Sequence, residues 1–223
     1  MRLAVFASGG GSNFQALLDA VDEGWLNAEP VLLVTDREGT GAAARAEARE
    51  IPIAVLPPAQ FASEDAFAEA LLRALEERGV EFIALAGYLK KIPAAIVRAY
   101  KHRMLNIHPA LLPAFGGAGL YGLRVHQAVL DYGCRVSGAT VHLVDDEYDS
   151  GPVVLQEVVP VLADDTPETL AARVLELEHR LYPEALQFFA EGRVTVEGRR
   201  VRILGDEENG EPADAPHPQA LNE

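Results

Sequence analysis

"RLAVFASGGGSNFQALLDAVDEG", residues 2–24, decides the fold. Its first third is a short apolar run bounded by glycines, the pattern of a buried strand. Its last half sets Phe14, Leu17, Leu18 and Val21 at i, i+3, i+4 and i+7, one face of a helix. Ser12 or Asn13 stands where a helix cap is expected. Strand, glycine turn and helix make the opening of a βαβ unit, and the pattern recurs. "PVLLVTD" (30–36), "IPIAVLP" (51–57), "EFIALAG" (81–87) and "RMLNIHP" (103–109) read as further strands. Helical patterns at 41–50 and 63–79 lie between them, the second opening with acids and closing on Gly79. Continuously apolar strands alternating with helices imply a parallel sheet covered on both faces.

The pattern then changes. "SGATVHLVD" (137–145) and "GPVVLQEVVPV" (151–161) flank an acidic turn and read as an antiparallel pair. A long helix is expected over about 167–191, kinked or interrupted at Pro183. "RVTVEGRRVRIL" (193–204) reads as a hairpin around Glu197 and Gly198. The expected fold is α/β: a mostly parallel, doubly wound, Rossmann-like sheet with helices on both faces and antiparallel C-terminal strands. Residues 1–204 form one domain on this reading. The acidic, proline-rich tail 205–223 has too little apolar surface to pack and is expected to be disordered.

A net charge of −15 over 223 residues argues against nucleic-acid binding, which needs a basic surface, and against anionic membranes. Cys134 is the one cysteine, so no intrachain disulfide forms. The apolar run 3–7 is too short for a secretion signal, and no stretch approaches membrane-spanning length. A soluble cytoplasmic protein is expected.

Two places carry candidate chemistry. The first is "SGGGSN" (8–13), where glycines let an anion approach the backbone and the following helix N-terminus offers unpaired N–H groups. A dinucleotide fingerprint requires glycine where Phe14 stands, although Asp36 sits where a ribose-binding acid belongs. A Walker loop requires a lysine that is absent. A phosphate monoester on the amides of Gly11, Ser12 and Asn13, and a ligand-free tight turn, both stay open.

The second is "MLNIHPALLPAFGG" (104–117), which ends an apolar strand with Asn106 and His108. Ligands bind beyond the C-terminal ends of parallel strands, and residues i and i+2 of a strand face the same way. An amide and an imidazole aimed at one atom suit a carbonyl that becomes an oxyanion. A carboxylate to orient the histidine and raise its pKa is sought among Asp145, Asp146, Glu147 and Asp149, each of which also has the plain role of capping its own turn. His108 has the alternative role of a hydrogen-bonded core histidine. His142 reads as strand structure, and His126 and His179 as helix residues at a surface or ligand edge. No spacing suggests zinc, and no nucleophile elbow is present. What remains is acyl transfer by direct attack of a bound amine.

The motifs "SGGGSNFQAL", "LAGYLKKI", "MLNIHPALLPAFGG", "VSGATVHLVDDEYDSGPVVLQEVVPV" and "RVLELEHRLYP" together resemble the phosphoribosylglycinamide formyltransferases, a branch of the folate-dependent formyltransferases. They cover most of 2–196 in that family's order. The resemblance implies formyl transfer from 10-formyltetrahydrofolate, a co-substrate, to the amine of glycinamide ribonucleotide in purine biosynthesis, without a metal. It implies small-molecule partners, no nucleic acid and no membrane, and leaves a homodimer open. It assigns Asn106, His108 and Asp149 to catalysis. It assigns Gly11, Ser12, Asn13 and Glu178 to the ribonucleotide. Leu89, Lys90, Lys91, Ile92, Asn106, Asp145, Asp146, Glu147 and Tyr148 match folate-lining positions.

Two departures stand out. Glu64 occupies a position where the family often has an arginine for the folate's anionic tail, which leaves that role to Lys90 and Lys91 or weakens folate binding. The loop 116–126 is longer than in many relatives and glycine-rich, as a mobile cover over the site would be. Related enzymes that formylate tRNA carry a further C-terminal domain, and the hydrolases of 10-formyltetrahydrofolate carry an N-terminal one; neither is expected here.

Overall fold

Residues 1–205 are described in a computed structural model of the chain. The tail 206–223, expected to be disordered, lies outside the described residues. In β1 (Arg2–Phe6) the alternation of a strand sorts uniformly apolar side chains into two cores, Leu3 and Val5 on one side and Ala4 and Phe6 on the other. β4 (Phe82–Leu85) divides in the same way, with Phe82 and Ala84 opposed to Ile83 and Leu85. Such strands are stable only with helices on both faces. α1 (Ser12–Asp22), α2 (Gly41–Glu47), α5 (Leu123–Tyr132) and α6 (Pro167–Ala190) cover the first face, and α3 (Glu64–Glu77) and α4 (Ala94–Ala99) the second.

With β2 (Glu29–Thr35), β3 (Ile53–Val55), β5 (Met104–His108), β6 (Val136–Leu143) and β7 (Val153–Pro160), the sheet order is β3-β2-β1-β4-β5-β6-β7. The first five strands are parallel, and β6 and β7 are antiparallel to their neighbours, as the change of pattern predicts. β8 (Val194–Glu197) and β9 (Arg200–Ile203) form the expected hairpin. From β1 the chain builds outward one way and from β4 the other, so the loops after these strands diverge and leave a crevice at their C-terminal ends. Two hydrogen bonds stitch that point together: the Ser8 amide donates to Gly87 O at 3.1 Å, and the Leu89 amide to the Ser8 side-chain Oγ at 3.0 Å.

Three expectations are corrected. No side chain caps α1: its N-cap is Gly11 at φ 72°, and Asn13 points elsewhere. A β-carbon at Gly11 would lie 2.8 Å from Ala42 Cα, so α2 can press on this turn only because the residue is glycine. Pro183 does not interrupt α6, which runs for 24 residues. Leu181, Tyr182, Ala185 and Leu186 around it are fully buried, and packing along this length outweighs the roughly 3 kcal/mol an interior proline costs. Tyr182 also hydrogen-bonds with Leu85 O (2.9 Å) and Leu105 O (3.1 Å), tying α6 to β4 and β5 beneath the site. Finally, α2 stops at Glu47, three residues short of its pattern, and Glu50 takes a left-handed φ of 54°.

Candidate active site

Asn106 and His108 project from the end of β5 into the crevice, as their spacing requires. The antiparallel pairing of β5 with β6 sets Asn106 opposite His142. Asn106 Nδ2 lies 3.0 Å from His142 Nε2 and 3.3 Å from Asp149 Oδ1. His142 Nδ1 lies 2.9 Å from Leu143 O, an acceptor, so Nδ1 carries the hydrogen and Nε2 receives one from Asn106. Both hydrogens of the Asn106 amide are therefore engaged within the protein. His108 Nε2 donates to Phe115 O at 2.9 Å, and its Nδ1 faces Asp149 Oδ2 at 3.5 Å.

Asp149 is the hub. It sits on the loop from β6 to β7 at a left-handed φ of 53°. Its Oδ2 accepts from the Gly117 amide at 2.9 Å, and its Oδ1 lies 3.6 Å from His142 Nε2. A β-carbon at Gly151 would overlap the Leu143 carbonyl, so the tight return that swings Asp149 over β5 needs glycine there. Burial pushes the Asp149 pKa up, but the two neighbouring imidazoles, His142 and His108, and the Gly117 amide hold it below its ordinary value.

The expectation that Asp149 raises the pKa of His108 is met only in part. Asp149 and the Phe115 carbonyl do act in that direction, but burial of a ring only 4% exposed is the larger effect, and the pKa falls below that of an ordinary histidine. The unliganded ring is neutral at pH 7.

The exit from β5 is pinned as the prolines suggest. Thr140 Oγ1 donates to Ala110 O at 2.6 Å and accepts from the Leu112 amide at 3.1 Å, Gln156 Nε2 donates to Leu112 O at 2.9 Å, and the Leu112–Pro113 bond is cis. The chain then lines one wall of a cavity of about 500 Å³. The opposite wall holds Ser12 and Asn13 from α1 and Glu178 from α6. The first amides of α1 have no preceding turn to bond to; Ser12 and Asn13 of this turn line the cavity, and Gly11 is buried beneath them. Instead of capping, Asn13 donates to Glu178 Oε2 at 2.6 Å. Burial pushes the Glu178 pKa up to about 7, against the Asn13 bond that lowers it.

A domain family described as formyl transferase matches residues 1–186, the span that carries every one of these side chains. The chain belongs to the formyl transferase family. It is 47% identical over 209 residues to the chloroplastic phosphoribosylglycinamide formyltransferase of Arabidopsis thaliana, a match covering 93% of this chain and 72% of that protein. To the phosphoribosylglycinamide formyltransferase of Bacillus subtilis it is 39% identical, over 83% of this chain and 93% of the other. The crystal structure of glycinamide ribonucleotide transformylase 1 from Symbiobacterium toebii superposes with a TM-score of 0.86 at 43% identity, covering 92% and 94% of the two chains.

Within this formyl transferase the remaining expected residues divide between two spaces. Lys90, Lys91, Ile92, Asp145, Asp146, Glu147 and Tyr148 border a smaller cavity of about 90 Å³, floored by Leu85 and Val144 and reached by Asn106 and His142. Leu89 faces the larger cavity instead. Asp145 fills the plain role of a turn acid, accepting from Ser150 Oγ at 2.7 Å and the Glu147 amide at 3.1 Å. Lys90 Nζ lies 3.5 Å from Asp36 Oδ2, and Arg37 pairs with the same carboxylate at 3.0 Å. These pairings leave Asp36 poorly placed to serve a dinucleotide ribose. Glu64 opens α3 and borders an open depression together with Lys90 and Lys91. His142 and His126 line the site although their sequence context did not single them out. A signal for His142 existed in the β5–β6 pairing, but only the register, which sequence leaves free, sets it against Asn106. No helix among the described residues is long and apolar enough to cross a membrane.

Proposed function

We propose that the chain transfers the formyl group of 10-formyltetrahydrofolate to the amine of glycinamide ribonucleotide, giving formylglycinamide ribonucleotide and tetrahydrofolate. The observation that carries this reading is the Asn106–His108–Asp149–His142 cluster, set where a phosphate-ready helix N-terminus and a second, apolar-floored cavity meet. The ribonucleotide phosphate docks on the amides of Gly11, Ser12 and Asn13, and Glu178 accepts from the ribose. The folate occupies the smaller cavity between 90–92 and 145–148.

The amine attacks the formyl carbon directly, and negative charge develops on the formyl oxygen. His108 Nδ1 is the nitrogen free to take up a second proton, the one the attacking amine sheds as its bond to the formyl carbon forms, since Nε2 is committed to Phe115. The developing oxyanion and Asp149 both favour that proton, offsetting the burial that keeps the ring neutral beforehand. Asn106 donates to the same oxygen by releasing the longer of its two bonds, that to Asp149. His142 keeps the amide oriented throughout. The proton then passes to the departing folate nitrogen.

The direct test is incubation with both substrates while tetrahydrofolate is followed. Release that requires the ribonucleotide supports the reading. Release without it points to hydrolysis, and none at all to another acceptor.

Glu178 supplies a pH prediction. The carboxylate that accepts ribose hydroxyls forms only above about pH 7, so KM for the ribonucleotide rises as pH falls through 7. Glu178→Gln, uncharged throughout, flattens that limb. Because the folded pKa is raised, the protonated form contributes stability below the unfolded pKa of about 4.5, and this is lost as pH rises through about 7. The loss is about 3 kcal/mol, so Glu178→Gln also melts higher than the wild type at pH 8. A pH-independent KM in the wild type contradicts this assignment.

A further inference from the structure

His126 is a buried polar side chain of the large cavity that neither the oxyanion cluster nor the ribonucleotide-binding residues use. It lies in the first turns of α5, is 3% exposed, and lines the same cavity as His108 and Glu178. Its Nδ1 is buried without a hydrogen-bond partner among the described residues. Nε2 has no protein partner among the described residues and is not sealed off as Nδ1 is, so the ring meets the cavity through that edge. Burial, and the nearby His108, keep the ring neutral. A neutral imidazole carries one hydrogen, and buried unpaired donors are rarer than underused acceptors. The hydrogen therefore sits on Nε2, aimed into the cavity. Leaving a buried nitrogen unpaired lowers stability, so a polar ring here needs a reason other than packing.

The order of groups across the cavity supplies the reason. Asn13 and Glu178 stand at the phosphate and ribose end, and Asn106 and His108 at the formyl-transfer end. His126 is close enough to His108 for their charges to interact. In a substrate running from phosphate to amine, the group between ribose and amine is an amide, whose carbonyl oxygen is the one acceptor in that span. We propose that His126 binds the substrate amide, donating from Nε2 to the carbonyl oxygen of the glycinamide and so fixing the amine's approach. This rests on the ribonucleotide reading given above.

The test compares wild type, His126→Phe and His126→Gln. Phe removes the donor and fills the space, and Gln restores an N–H at the reach of Nε2. His126→Phe should raise KM for glycinamide ribonucleotide about tenfold, the worth of one well-made hydrogen bond. The folate KM should hold and Tm should not fall, since an unpaired polar group gives way to an apolar one. His126→Gln should recover much of the lost affinity. A ribonucleotide whose amide carbonyl is replaced by methylene should bind the wild type about as weakly as the true substrate binds His126→Phe. That arm needs no variant to fold. An unchanged ribonucleotide KM in His126→Phe, a Gln variant as defective as Phe with a lowered Tm, or wild type that binds the methylene analogue as well as the substrate, each overturns the proposal. Wild type that releases no tetrahydrofolate with glycinamide ribonucleotide fails at the function itself, a separate result.

Discussion

His108→Ala lowers kcat about 10²–10³-fold, the usual loss when one oxyanion donor is removed. KM for either substrate changes little, because the interaction is made as charge develops and not on binding. The ring is almost wholly enclosed, held through Nε2 by Phe115 O, with Nδ1 towards Asp149 at 3.5 Å. No other titratable ring in the cluster is placed to substitute: His142 is committed on both nitrogens, to Leu143 O and to Asn106. Asn106→Ala should lose a similar factor, since it removes the second donor. Steady-state kinetics with both substrates varied checks this, with a Tm measurement to confirm folding. Near-full kcat in His108→Ala would remove the ring from the chemistry.

Asp149→Asn has the second large effect, a kcat loss of about 10²-fold or more. The carboxylate meets four groups at once: it accepts from the amides of Asn106 and Gly117, and its oxygens stand 3.5 and 3.6 Å from His108 and His142. An asparagine presents one oxygen and one N–H₂, so it can accept from Asn106 or from Gly117 but not match both oxygens. The tie between the loop at Gly117 and the reaction centre loosens along with the donors. The pH–rate profile separates this from simple misfolding. Asp149 raises the His108 pKa against burial, so removing its charge drops that pKa further. The limb belonging to His108 therefore moves towards acid or disappears, and a profile superimposable on wild type would disprove the coupling.

The parallel half of the sheet was legible because strands buried on both faces need no partner information: Leu3, Ala4, Val5 and Phe6 are apolar whichever way they point. Asn106 and His108 were legible for a related reason, since i and i+2 share a face without any knowledge of pairing. His142 was not. Its place opposite Asn106 depends on the β5–β6 register, and alternation alone gives a strand histidine no address. His126 was hidden in the same way, because which side of α5 meets the cavity is set by packing on the sheet. Asn13 looked like a cap; its link to Glu178, 165 residues on, exists only once α1 and α6 lie side by side. The pKa of His108 escaped sequence reasoning because a neighbouring acid can be guessed, whereas the depth of burial that outweighs it cannot.

The central claim is direct transfer between two bound substrates, and the fate of the formyl carbon tests it. With 10-formyltetrahydrofolate labelled in that carbon and glycinamide ribonucleotide in excess, the account predicts one label in formylglycinamide ribonucleotide per tetrahydrofolate released, and none in formate. Label appearing as free formate, or tetrahydrofolate released without a labelled ribonucleotide, would contradict it.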